Sequence, residues 1–307
     1  MKIGYVFSNL LMGGVQSFYS DLARTFNSKY EVKYTVLDSK LADPILENRL
    51  SSIEKVSKQE LLKWSDIINL DGIISNDDKQ FFRPKWKSTI EYLGSARNYT
   101  LKERIFKQNL PPYIVASSKF VSSTLKVKNR VIYTGRDTNW FSPKPMKKKY
   151  DLAIIGRMRP VKNHKLFIEI CKLGNFSFVT IGGTHRRLEG HVNDIEKMVR
   201  ANARNTIDYV PGFVSDMDML DLINQSRIGL VVANSVGAPE GAEFMSCGIP
   251  TIVRKIGGSA ELHDEYNELV MSYDSPASTY VDCINKYIND IDIGVKMRQT
   301  ILSKFSK

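Results

Sequence analysis

The chain has 307 residues, 42% of them hydrophobic, and 44 Lys/Arg against 33 Asp/Glu give a net charge of +11. That length holds two domains with cores of ordinary size, and the composition is that of a globular protein. No run approaches the roughly 18–20 apolar residues of a membrane span, and neither the three cysteines nor the four histidines show a metal-ligand spacing.

From the N-terminus, residues 2–7 (KIGYVF) form a short apolar run that predicts a buried parallel strand. One Lys and no small-residue cleavage site argue for a first strand and against a signal peptide. Residues 8–14 read as a loop. Residues 15–26 place Phe18, Leu22 and Phe26 four apart, the mark of an amphipathic helix. Residues 31–37 alternate as a second strand, and a helix end at 61–64 feeds a strand at 66–70. Further strands are predicted at 113–116 and 130–133, with a helix from Ser117-Ser118 through Leu125 between them. The Pro/Lys-rich stretch 143–150 predicts an interdomain linker.

The second half restarts the pattern. Strands are predicted at 151–155, 176–181, 207–210, 229–233 and 251–253. Helices are predicted at 165–173, 192–204, 216–224, 240–247 and 276–288, the third capped by Ser215 or Asp216. Strands and helices alternate throughout, which predicts an α/β fold of two successive doubly wound, Rossmann-like domains. The expected division is 1–142, a linker at 143–150, and 151–307, with the last helix packing back on the first domain. Cys171, Cys247 and Cys283 suit a reducing compartment as small apolar residues.

The charge is unevenly spread. Residues 79–136 carry thirteen Lys/Arg, Arg83, Lys85 and Lys87 among them, against only Glu91 and Glu103, an excess equal to that of the whole chain. Aromatics interleave with these cations, including Phe81, Phe82, Trp86, Tyr92 and Tyr99. Such a segment is either a solvated basic face or a surface that attracts a polyanion, nucleic acid or anionic membrane.

Several segments carry candidate chemistry. SNLLMGGV (8–15) puts Gly13 and Gly14 between a strand and a helix, where backbone N–H groups can approach a phosphate. A tight turn is the plainer reading. IGRMRPVK (155–162) offers a guanidinium at Arg157 and an ammonium at Lys162 across a strand–loop–helix junction, both able to reach a diphosphate. The alternative is a solvated basic turn. Gly182-Gly183 and Pro211-Gly212-Phe213-Val214 follow strands at their carboxyl ends, where open α/β sheets bind ligands. ANSVGAPEGAEFMSCGIP (233–250) combines a small-residue loop with Glu240 and Glu243 near a helix start and a Cys-Gly-Ile-Pro stop. Asp216-Met-Asp218 has the look of a metal-binding pair, yet an Asp at a helix start more often caps it. Asn76-Asp77-Asp78 reads more readily as a turn.

Taken together these segments resemble the retaining, GT-B-fold glycosyltransferases of family 4 type. Gly-Arg-x-x-x-x-Lys resembles that family's donor-phosphate motif. Glu243-Phe-Met-Ser-Cys-Gly-Ile-Pro250 with Gly257-Gly-Ser-Ala-Glu261 resembles its E-A-M-A-C-G-x-P and G-G-x-x-E. VIYTGRDTNWFSP (131–143) resembles its domain-junction sequence. The resemblance covers most of 110–265 and, more loosely, 1–26.

It implies two Rossmann-like domains facing a cleft. The second would bind a nucleotide sugar, UDP-linked in the first instance, as co-substrate, with no metal and no other cofactor. Arg157 and Lys162 would take the diphosphate and Glu243 the ribose hydroxyls. Gly13 and Gly14 would lie near the phosphates, and Gly183, Gly212, Phe213 and Val214 would flank the nucleoside. The loop Ser235, Gly237, Ala238, Pro239 and Glu240 would hold the sugar. Ser235 departs from the pattern, since the family places a second Glu there, and Glu240 is the acid nearest to replace it. The first half also lacks the histidine that family members often carry near the sugar.

The first domain would take the acceptor, with Asp77, Asp78, Arg83, Lys85, Lys87, Glu91 and Tyr92 as candidate acceptor-side groups. The acceptor placed first is a hydroxymethylated base in phage-type DNA, modified by a soluble enzyme in the cytoplasm of an infected bacterium. The second is a lipid-linked or envelope glycan, reached by an enzyme resting on an anionic membrane surface. A reading of another class is a non-catalytic module that binds sugar nucleotides or nucleic acid.

Overall fold

The computed structural model describes residues 1–10, 14–71, 76–82, 88–93, 113–183, 189–202, 214–234 and 240–305. It separates into two compact units, Met1–Tyr133 and Thr134–Lys307.

The first unit is a seven-stranded, all-parallel sheet. Its strands are β1 (Lys2–Phe7), β2 (Glu31–Val36), β3 (Glu54–Lys55), β4 (Ile67–Asp71), β5 (Thr89–Leu93), β6 (Tyr113–Ala116) and β7 (Arg130–Val131), in the spatial order β3-β2-β1-β4-β5-β6-β7. Helices α1 (Gly14–Asn27), α2 (Pro44–Arg49), α3 (Lys58–Trp64), α4 (Asn76–Phe81) and α5 (Lys119–Leu125) lie between them in sequence. β1 is almost wholly buried, which is why its sequence is continuously apolar rather than alternating. Its Tyr5 and Phe7 rings meet Tyr19 of α1 edge-on at 5.9 and 6.0 Å, and the Tyr19 hydroxyl donates to the Leu70 carbonyl at 2.6 Å. An aromatic core thus fixes α1 across β1 and β4.

The second unit is a five-stranded parallel sheet. Its strands are β8 (Tyr150–Ile155), β9 (Phe178–Ile181), β10 (Ser226–Val231), β11 (Thr251–Arg254) and β12 (Val270–Met271), ordered β12-β11-β10-β8-β9. Helices α6 (His164–Gly174), α7 (Glu189–Asn202), α8 (Asp216–Asn224), α9 (Ala242–Ser246), α10 (Gly257–Glu261), α11 (Ala277–Tyr287) and α12 (Ile291–Lys304) complete it. α8 is capped by Ser215, whose Oγ accepts from the Asp218 N–H at 3.1 Å and donates to the Asp218 carboxylate at 2.6 Å. Asp218 is therefore engaged in its own cap. The strand expected at 207–210 lies outside the described residues.

The division between units falls ahead of the stretch 143–150. Residues 134–142 go with the second unit, and the stretch itself is bonded to it. The Lys144 N–H donates to Asn224 Oδ1 at 2.8 Å and its ammonium reaches Asp221 at 2.6 Å. The Lys148 ammonium donates to the Asn224 and Ser226 carbonyls at 3.0 and 2.9 Å. The last helix, α12, packs within the second unit: Arg298 donates to the Phe141 carbonyl at 3.1 Å and to the Ser246 carbonyl. Among the described residues, no helix is long and apolar enough to cross a membrane. All three cysteines are buried and free.

Candidate functional site

In the second sheet the chain order reverses between β8 and β10, which leaves a crevice outside their carboxyl ends. β8 runs out into Gly156-Arg157-Met158-Arg159, a 3-10 turn at Pro160–Lys162, and then α6. Backbone bonds hold this turn against the end of β9. Gly156 N–H donates to the Ile181 carbonyl at 2.9 Å, and Met158 N–H to the Gly183 carbonyl at 3.2 Å. Gly182 permits the approach: its φ is +141°, and a Cβ there would stand 2.1 Å from the Gly156 carbonyl oxygen.

From the other side of the crevice, the Asn234 N–H donates to the Val161 carbonyl at 2.7 Å. Asn234 is held in turn by Arg254, whose Nη1 donates to its Oδ1 at 2.5 Å. Arg254 stacks on the Tyr273 ring at 3.8 Å and donates from Nε to the Tyr273 carbonyl at 2.7 Å. Sequence reasoning missed this brace. Arg254 ends a strand and belongs to no motif, so nothing local marked it.

The charged groups gather on this frame. Burial pulls the proton affinity of Arg157 below its ordinary value, the neighbouring Arg159 pulls the same way, and Glu240 opposes both. Lys162 forms an ion pair with Glu240. The Glu240 N–H donates to the buried Ser259 Oγ at 2.8 Å. Glu243, in the first turn of α9, accepts from Arg136 Nε at 2.8 Å. In the sequence Arg136 stands in the basic segment and in the domain-junction stretch 131–143, with no role of its own. The structure makes it the anchor that fixes one carboxylate oxygen of Glu243. α9 sits close to the sheet because Gly229 of β10 has no side chain: a Cβ there would stand 2.4 Å from the Phe244 ring.

Of the remaining sequence-predicted residues, Gly183 supplies the carbonyl for Met158, Gly14 opens α1, and Val214 packs against the second unit's core beside the Ser215 cap. Gly13, Gly212, Phe213, Ser235, Gly237, Ala238, Pro239, Arg83, Lys85 and Lys87 lie outside the described residues, as does the side chain of Asp77. Asp78 pairs with Lys58 at 3.2 Å. Two acceptor-side candidates prove to be interior. Glu91 is fully buried in an ion pair with Lys79, also fully buried. The Tyr92 ring packs on Phe18 with 4.7 Å between centroids. Burying a carboxylate requires a partner, and Lys79 meets that need, so neither Glu91 nor Tyr92 faces an acceptor. The first sheet has its own order reversal between β1 and β4. There Asp71, fully buried, accepts from the Ser8 N–H and hydroxyl at 2.7 and 2.8 Å.

His164 follows the 3-10 turn as the first residue of α6. It is buried, and among the described residues its Nδ1 has no hydrogen-bond partner. Burial, reinforced by the adjacent Lys162, pushes its pKa down to about 4. A histidine with a lowered folded pKa leaves the unfolded state binding the extra proton first. Stability is therefore complete above the ordinary value of about 6.5 and falls as pH drops toward 4, by about 3 kcal/mol for this group. His164→Leu is expected to flatten that decline when unfolding by urea is followed from pH 7 to 4. His263, also lowered by burial, acts in both chains, so the difference isolates His164. Equal pH slopes in the two proteins would refute the assignment.

The glycosyl transferases group 1 family model matches residues 135–301. Among solved structures, Anabaena Alr3699/HepE in complex with UDP and glucose is similar, with a TM-score of 0.78 and 16% identity over 100% of this chain and 96% of that one. Sucrose-phosphate synthase from Thermosynechococcus elongatus gives a TM-score of 0.73 and 12% identity over 100% and 95%. The lipopolysaccharide outer core galactosyltransferase WaaB, in its apo form, gives 0.66 and 15% over 100% and 96%. No curated protein matches. These TM-scores show a shared fold.

Proposed function

The chain belongs to the glycosyl transferases group 1 family, and from that premise we propose that it moves a sugar from a nucleoside-diphosphate donor, a UDP-sugar first among them, to an acceptor hydroxyl with retention at the anomeric carbon. The observation that carries this reading is the turn at 156–162. It carries Arg157 and Lys162, the latter paired with the Glu240 carboxylate, at the strand reversal of the second sheet. Arg157 offers a planar fork and Lys162 a point charge to a leaving diphosphate. Glu243, oriented by Arg136, is assigned to the ribose hydroxyls. HepE was crystallised with UDP and glucose, which favours a uridine nucleotide.

Retention follows from a front-face step. The acceptor oxygen bonds to the anomeric carbon on the side from which the diphosphate departs, and the departing phosphate oxygen takes the acceptor proton. No protein base is then needed, consistent with a first half that contains no histidine.

For the acceptor, the excess positive charge of residues 79–136, with Trp86 and Tyr99 among its aromatics, supports a polyanion, and we place hydroxymethylated DNA first. That acceptor puts the reaction in the cytoplasm of a phage-infected bacterium. WaaB, which acts on lipopolysaccharide outer core, supports a lipid-linked glycan on an anionic membrane as the second reading. Incubation with hydroxymethylated duplex DNA and a panel of UDP-sugars, followed by nucleoside mass spectrometry, is expected to give a glycosylated base. Binding to that DNA should weaken steeply with salt. Tight binding to vesicles containing phosphatidylglycerol, with no DNA product, would replace the first acceptor by the second.

A further inference from the structure

The ion pair between Lys162 and Glu240 occupies a cation that the proposed reaction assigns to the donor diphosphate. We propose that Glu240 is an exchangeable counter-ion, a carboxylate that holds Lys162 until a ligand bearing a second phosphate displaces it. The inference rests on the diphosphate reading of Arg157 and Lys162.

The geometry favours exchange over a permanent bond. The two side chains keep 17% and 32% of their surface exposed, and ion pairs that reach solvent contribute little net stability. A diphosphate brings more negative charge than one carboxylate. The exchange also requires no backbone movement. Lys162 is fixed by its N–H to the Arg159 carbonyl at 2.9 Å, and its stem lies over Gly156, where a Cβ would come within 3.2 Å of Cε. The Glu240 backbone is fixed by Ser259. Only the Glu240 carboxylate has to swing, a side-chain motion that is fast on the scale of turnover.

Two consequences follow. Binding a diphosphate must break the Lys162–Glu240 pair, whereas a ligand without a second phosphate leaves it intact, so Glu240 weakens diphosphates alone. After transfer, recapture of Lys162 by Glu240 hastens release of the nucleoside diphosphate.

The test is calorimetric binding of UDP and UMP to the full chain, wild type and Glu240→Gln, with thermal melting to verify folding. Glu240→Gln is expected to tighten UDP about tenfold while changing UMP less than twofold. Its UDP product-inhibition constant should fall by the same factor. In a Lys162→Met background the substitution should lose most of its effect, since the exchanged cation is gone. Unchanged or weakened UDP binding in Glu240→Gln would overturn the proposal. So would an equal gain for UMP, which would make Glu240 a general repulsive charge rather than a partner in exchange. If the folded wild type binds neither nucleotide, the diphosphate reading itself fails, a result distinct from these.

Discussion

Arg157→Ala is expected to lower kcat/KM for the nucleotide sugar by about 10²–10³-fold, the usual effect of removing one preorganised group from a site of developing negative charge. Lys162→Ala is expected to fall by at least tenfold, somewhat less because its ammonium already shares its charge with Glu240. Charge develops on the departing diphosphate only as the bond to the sugar breaks, so the loss should appear mainly in kcat. Arg157→Lys should recover part of it, because the positive charge returns but the planar fork does not. Steady-state release of UDP, with acceptor present, measures all three. Wild-type turnover in both alanine variants would remove these residues from the donor site and sink the assignment.

Gly182→Ala should unfold at about 10 °C below wild type, and its surviving folded fraction should have lost donor binding. Two costs combine. The backbone at φ +141° is one that an alanine tolerates poorly, and its Cβ would meet the Gly156 carbonyl oxygen at 2.1 Å. Strain of the first kind costs about 1–3 kcal/mol and overpacking of the second about 1–3 kcal/mol more. For a chain of this size each kcal/mol moves the melting midpoint by roughly 2–4 °C. Relief requires Gly156 to shift, and Arg157 would shift with it. Gly229→Ala makes the informative contrast, because its Cβ meets the Phe244 side chain rather than backbone. It should cost stability while sparing the 156–162 turn. Thermal melts with UDP titration of both variants separate these effects, and a Gly182→Ala protein with normal stability and UDP affinity would contradict the account.

Much of this architecture could be read locally. The strand at Tyr113–Ala116 and the helix ending at Leu125 stand where the sequence puts them. Of the two caps the sequence offers, Ser215 and Asp216, Ser215 takes the position. Each is a short-range matter of apolar runs and capping oxygens. The same locality explains the misreadings. The segment 143–150 looks like a linker because Pro and Lys are dense there, yet Lys144 and Lys148 find their partners on and just beyond α8, far along the chain. Composition carries no information about a partner so distant. Tyr92 and Glu91 sit in a basic, aromatic-rich stretch that resembles a binding surface, yet they lie on a strand buried on both faces. One is held by Phe18 and the other by Lys79.

By itself, then, the sequence determined the alternating parallel fold and its restart in a second unit, and it marked the Arg157–Lys162 turn proposed above for a diphosphate. Periodicity and motif spacing are local, and backbone geometry follows from them. Only the tertiary structure decided what the charged side chains do. It paired Glu240 with Lys162, fixed Glu243 with Arg136, and withdrew Glu91 into the core with Lys79. A charge chooses its partner by distance in space, and that distance is set only when strands remote in sequence lie side by side.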